Sequence, residues 1–161
     1  ALKGHETLIR ATQDLDAAVV FMGDQTRKPA YVQSLRQLAQ DLRHDHVYFM
    51  PEMQDPRPAY AAAHSVVSCS VEPETFGRTT AEALSMGKLF VGTNIGATPE
   101  ICGGVGWLVP PKDVRALRET LSDLLCRPNA IRQDARKRMI SYFSDTQMYQ
   151  NLHHAYRDLV S

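Results

Sequence analysis

The chain has 161 residues, suits a single domain, and is long enough to bury roughly 70% of its unfolded surface. Its 18 Lys plus Arg balance 18 Asp plus Glu, which excludes a general nucleic-acid or anionic-membrane surface and leaves any basic site to be local. Three cysteines, Cys69, Cys102 and Cys126, are odd in number and widely spaced, so a reduced cytoplasmic protein is expected rather than a disulfide scaffold; no stretch reads as a signal peptide or reaches the ~20 apolar residues of a membrane span. Residues 4–15 carry apolar positions at helical spacing, and residues 17–22 then read as a strand ending at Gly23-Asp24. Pro29 opens a second helix to about Leu42, with Tyr31, Leu35, Leu38 and Leu42 on one face. Strand and helix alternate onward: a strand over 47–50, a short helix over 58–63, a strand over 66–69, a helix over 76–86 and a strand over 89–92. Residues 98–101 form at most one helical turn, and 107–109 an extended piece closed by Pro110-Pro111. Asp113 caps a helix to about Cys126, Pro128-Asn129 breaks it, and two more helices follow over 130–143 and 145–160. This alternation implies an α/β fold, a parallel sheet with helices on both faces.

The chemistry concentrates in residues 70–87. A buried strand, a loop and a helix start succeed one another there, and such a junction presents free backbone N–H groups at the positive end of a helix dipole. Gly77 lets a ligand approach the main chain, and Pro73 disfavours helix in the residue before it, which helps keep Glu74 in the loop. Glu74 in the loop and Glu82 about two turns into the helix bracket that anion site. Carboxylates accept hydrogen bonds and bring no positive charge for a phosphate, so a Glu pair around an anion pocket suits hydroxyl-rich groups on either side of a phosphate. A nucleotide sugar has that composition. Taken singly, each Glu reads equally as a solvated surface residue, Lys3 as a frayed terminal lysine, and Arg78 as a surface arginine.

The string Glu74-x-Phe76-Gly77-Arg78-x-x-x-Glu82-Ala83, followed by Met86-Gly87, resembles the E-x7-E signature of retaining glycosyltransferases of the GT-B fold, family four (glycosyl transferases group 1). Five further stretches keep the family's order: Lys3-Gly4 with Leu8-Ile9, residues 19–24, residues 47–49, residues 94–101, and residues 106–113. The resemblance is to the carboxyl-terminal, donor-binding half. It implies that residues 1–161, with closing helices from about 113, form a Rossmann-like doubly wound parallel sheet, that a first strand and an Arg precede Lys3 in the family, and that the amino-terminal acceptor domain lies outside this sequence. It further implies that Glu74 binds donor-sugar hydroxyls and that main-chain N–H groups around Phe76, Gly77, Arg78 and Thr79 hold sugar and diphosphate. Glu82 would accept from the ribose, and Lys3 would face the diphosphate and act with Glu74 in catalysis. The partners so implied are a nucleotide-diphosphate sugar, the missing amino-terminal domain and a saccharide or lipid-linked acceptor; no cofactor, metal or nucleic acid is expected. The implied location is the cytoplasm, or the inner membrane face through the parent enzyme, and the isolated half is expected to be inactive.

Departures from the family pattern are Ala97 for a second Gly, so that Gly96 with Pro99-Glu100 reads as a structural turn, Leu89 for a Pro, and Asp145 for a Trp where the final helix reaches back toward the other domain. Two other functions compete: a nucleotide-sugar 2-epimerase of the same architecture, and a non-catalytic module, either a nucleotide-sugar sensor or a flavodoxin-like receiver. The receiver needs an acidic cluster at the strand ends, where only Asp24 lies. His44 with His46, and His153 with His154, lack partners at ligand spacing and read as surface histidines. His64 ends a short helix as a C-terminal cation or by packing, Cys69 reads as an inert buried thiol, and the Tyr and Leu stripe of the last helix as core or interdomain packing.

Overall fold

The computed structural model describes residues 2–127 and 131–160. In chain order the elements are α1 (His5–Thr12), β1 (Val19–Met22), α2 (Pro29–Asp41), β2 (Val47–Met50), α3 (Arg57–Ala62), β3 (Ser65–Ser68), α4 (Arg78–Ser85) and β4 (Leu89–Thr93). They continue with α5 (Thr98–Cys102), β5 (Trp107–Val109), α6 (Val114–Leu125), α7 (Gln133–Phe143) and α8 (Asp145–Val160). Every strand pair is parallel: β1 sets Val19 opposite Val47 of β2, β3 sets Ser65 opposite Leu89 of β4, and β4 sets Val91 opposite Trp107 of β5. Parallel neighbours need a crossover, which the intervening helices supply, so the expected α/β class is the one observed. The ladders fall into two groups, β1-β2 and β3-β4-β5.

One core joins the two groups. Leu8 and Ala11 of α1, Val19 of β1, Leu89 and Val91 of β4, Val109 of β5, and Leu117, Leu121 and Leu124 of α6 form a single buried cluster. All five residues of β4 are buried, and their alternation sends Phe90 to the opposite side, where it meets Ala83 and Leu84 of α4, Ile101 of α5 and Met139 of α7. Arg118 of α6 ties the back of the molecule together. Its guanidinium donates to the carbonyls of Ala11 at 3.2 Å and Arg10 at 2.8 Å, at the negative end of α1, and pairs with Asp14 at 2.7 Å.

Local chemistry sets most boundaries. Pro29 starts α2 and Asp113 caps α6, its Oδ1 accepting from the Ala116 N–H at 2.9 Å. The helix expected from residue 76 begins instead at Arg78, because Gly77 sits at φ 75°, ψ 59°, a left-handed conformation that cannot continue a helix. Glu82 is therefore one turn into α4 rather than two. The break expected at Pro128-Asn129 and the helix start at Ala130 lie outside the described residues.

One histidine departs from expectation. His44 is not on the surface but 5% exposed, beneath the end of α1, where its Nε2 lies 3.0 Å from Thr12 Oγ1. That hydroxyl donates to the Leu8 carbonyl at 2.8 Å, so its oxygen accepts and His44 donates through Nε2. Burial first, then the neighbouring His46, holds the His44 pKa below its ordinary value, and the imidazole is kept neutral. His46, His153 and His154 are exposed as expected, and His64 Nε2 donates to the Arg127 carbonyl at 2.9 Å. No residue of α8 is buried, so its apolar stripe is not core.

Candidate functional site at the β3–α4 junction

The loop after β3 is fixed from three sides by the protein itself. Ser70 is 3% exposed, and its carbonyl accepts from Thr93 Oγ1 at 2.7 Å, which ties the loop to the end of β4. The Val71 N–H donates to the Leu2 carbonyl at 2.8 Å, which draws the start of the chain alongside. Gly4 makes that approach possible: at φ +63° a Cβ there would stand 1.9 Å from the Cys69 carbonyl oxygen, a distance no side chain tolerates. On the far side Gly96, at φ +60°, lies so close that a Cβ would meet the Glu74 nitrogen at 2.6 Å, and the Ala97 N–H donates to the Glu74 carbonyl at 3.2 Å. The turn at Gly96 thus supports the loop that carries Glu74.

These constraints bring Lys3 and Glu74 together across 71 residues of sequence. Lys3 Nζ donates to Glu74 Oε1 at 2.8 Å, and the Ser70 hydroxyl donates to the same oxygen. Burial pulls the Glu74 pKa upward, but the bonds from Lys3 and Ser70 and the Lys3 charge outweigh it, so the carboxyl sits below its ordinary value and is ionised at neutral pH. A cleft of ≈ 310 Å³ is lined by Leu2 and Gly4, which flank Lys3 in sequence, together with Thr7, Tyr31, Glu72 and Lys112; neither Lys3 nor Glu74 lines it.

The start of α4 supplies the donors. Gly77 offers no side-chain cap, and among the described residues the N–H groups of Gly77, Arg78 and Thr79 make no hydrogen bond, whereas those of Thr80 and Ala81 turn back to the Gly77 carbonyl. Such an end attracts an anion. Arg78 and Thr79 are exposed, and the Phe76 ring, 48% exposed, points away to meet Phe143 edge-on at 6.4 Å. Phe76 can therefore serve a ligand there through its main chain.

Glu82 is half-buried and engages neither Lys3 nor Glu74; its Oε2 accepts from the Tyr60 hydroxyl at 2.7 Å. Sequence reasoning passed over Tyr60, as it did Ser70, because nothing in the spacing links either residue to a carboxylate. Thr80, fully buried under Gly77 with no partner for its hydroxyl among the described residues, was also missed. Burial pushes the Cys69 thiol up to about 11, in accord with an inert role. Among the described residues, no three His, Cys, Asp or Glu side chains are grouped to hold a metal ion, and no helix is long and apolar enough to cross a membrane.

The sequence profile of the family described as Glycosyl transferases group 1 matches residues 1–127. No curated protein matches the chain. Among solved structures, a glycosyltransferase from Rickettsia africae is 27% identical with a TM-score of 0.90, the match covering 100% of this chain and 45% of the other. Alr3699/HepE of Anabaena, solved with UDP and glucose, is 24% identical with a TM-score of 0.88, over 97% of this chain and 45% of its own. Sucrose-phosphate synthase of Thermosynechococcus elongatus is 24% identical with a TM-score of 0.86, over 99% and 43%. The chain spans less than half the length of each of these three proteins. The likeness runs over the whole chain, and the fold is the Rossmann-like arrangement of parallel strands and flanking helices found in GT-B glycosyltransferases.

Proposed function

Because the chain belongs to the glycosyl transferases group 1 family, we propose that it is the donor-binding half of a retaining glycosyltransferase that moves a hexose from a nucleoside-diphosphate sugar to a saccharide or lipid-linked acceptor. The observation that carries this reading is the set of unfilled N–H groups at Gly77, Arg78 and Thr79 with the Lys3–Glu74 pair fixed to the same loop. The amides and the helix end take the diphosphate, Glu74 accepts from the hexose hydroxyls, and Glu82 accepts from the ribose. That UDP and glucose occupy Alr3699/HepE supports the assignment of ligand class.

The mechanism follows from charge. As the bond to the sugar breaks, negative charge grows on the departing diphosphate, and fixed donors aimed at that charge lower the barrier. Lys3 and the α4 amides provide it, so the step needs no metal. Lys3 pairs with Glu74, so a diphosphate that binds there competes for the ammonium and frees Glu74 for sugar hydroxyls. Retention of configuration is read as front-face substitution, in which the leaving phosphate helps deprotonate the acceptor. The second half of the enzyme supplies the acceptor site, and the setting is the cytoplasm or, for a lipid-linked acceptor, the inner membrane face.

Titration of the full-length protein with UDP, GDP and ADP tests the reading. One of them is expected to bind, and Glu82→Ala to weaken it about tenfold, the scale of losing a hydrogen bond to a charged group. Failure of all three to bind, or an unchanged affinity in the variant, sinks it. Proton NMR of the first-formed product then checks that the anomeric configuration is retained.

A further inference from the structure

Glu82 is oriented by a partner that the proposed donor site does not account for. Tyr60 reaches from α3 across 22 residues of sequence to place its hydroxyl 2.7 Å from Glu82 Oε2. Burial above all, then this bond and the Glu82 charge, push the phenol above its ordinary range, so it stays protonated and the direction of the bond is fixed: the phenol donates and the carboxylate accepts.

A six-residue helix does not hold its shape unaided, and α3 buries no residue completely. Lys88, 7% exposed and immediately before β4, holds it: the ammonium donates to the Ala61 carbonyl at 2.8 Å and the Ala63 carbonyl at 2.9 Å, where α3 ends. The Lys88 N–H donates in turn to the Ala83 carbonyl of α4 at 3.0 Å. One residue thereby sets α3 against α4, and the Tyr60 ring packs on the cluster formed by Val66, Ala83 and Phe90. Besides these neighbours, the Tyr60 phenol also interacts with the side chain of Thr79 at the start of α4.

An unrestrained glutamate on a helix surface loses rotamer freedom when it grips a ligand, and a restrained one has already lost it. Tyr60 engages Oε2, and Oε1 makes no hydrogen bond among the described residues, so it presents both lone pairs to an incoming donor. We propose that Tyr60 is a positioning residue that locks Glu82 so that Oε1 accepts from the vicinal hydroxyls of a ribose, which makes the site selective for ribonucleoside over 2′-deoxyribonucleoside diphosphates. The inference rests on the donor-binding reading above and adds to it a source of sugar discrimination in the nucleotide.

The experiment is calorimetric titration of the full-length protein and its Tyr60→Phe variant with UDP and 2′-deoxy-UDP, with the guanosine and adenosine pairs in parallel and melting temperatures recorded. The wild type is expected to prefer the ribonucleotide about tenfold, and Tyr60→Phe to lose most of that preference through weaker ribonucleotide binding, the deoxyribonucleotide affinity staying put. A merely structural tyrosine would weaken both nucleotides together with a lower melting temperature, and that result overturns the inference, as does a preference that survives in the variant. Equal wild-type affinity for both sugars overturns it while leaving the donor-binding reading intact. Absence of any nucleotide binding by the wild type overturns that reading itself.

Discussion

At Glu74, one carboxylate oxygen takes both donors, the Lys3 ammonium and the Ser70 hydroxyl. Burial raises its pKa, yet the donors prevail and the folded value lies below the ordinary 4.5. The contribution of this link is accordingly present in full above about pH 5 and lost as pH falls through the folded value, because the unfolded chain takes up the proton first. Melting temperature followed against pH is expected to fall more steeply on the acid side in the wild type than in Glu74→Gln, which has no such proton to bind; parallel curves would contradict this. Cysteine chemistry divides in the same manner. Burial pushes Cys69 and Cys102 each up to about 11, whereas Cys126 is exposed, so alkylation of the native protein read by mass spectrometry is expected to mark Cys126 first.

Among the elements, those visible in the sequence were the ones that local chemistry decides. Pro29, Asp113 and the run of buried residues in β4 announce themselves, because a fixed φ, a capping carboxylate and a continuous apolar strand act within a few residues. The sequence pattern puts the start of α4 at Phe76, two residues early, because pattern alone does not reveal that Gly77 adopts a positive φ. Tyr60, Ser70, Lys88 and the buried His44 were illegible for another reason: each bonds to an atom that only the folded topology brings near, across 22, 4, 25 to 27, and 32 residues, and the nearest of these, Ser70, follows no cap or turn pattern. The motif around Glu74 and Glu82 was readable as a string, and their separate partners were not. Gly4 joins the two kinds of information, for its identity is in the sequence and its necessity is in the fold. Gly4→Ala must relieve a clash in which its Cβ would stand 1.9 Å from the Cys69 carbonyl oxygen, and adopt a left-handed φ that alone costs about 1–2 kcal/mol. A lower melting temperature and weakened nucleotide binding are expected together, since Lys3 is displaced with it; an unaltered protein would mean the chain start does not approach the loop.

On the scale of the whole molecule, the two groups of strands share no ladder among the described residues, and their cooperation rests on α1 and α6 packing across both. Leu117 is the test of that dependence: it is 1% exposed, within the cluster that also holds Val19 of the first group and Leu89 and Val91 of the second. Replacing a buried leucine by alanine removes about 2–5 kcal/mol, through lost burial and the cavity left behind. In a chain of this size that corresponds to a fall of roughly 5–15 °C in melting temperature. Leu152 on α8 is the comparison, being 49% exposed in a helix with no buried residue, so Leu152→Ala is expected to stay within about 0.5 kcal/mol of the wild type. Thermal unfolding followed by far-ultraviolet circular dichroism and by differential scanning calorimetry separates two outcomes for Leu117→Ala. If α1 and α6 make the strand groups one cooperative unit, a single transition moves down intact, with calorimetric and van't Hoff enthalpies still equal. Two resolved transitions, with only one shifted, would mean that each group folds on its own helices and that the shared cluster is contact without coupling.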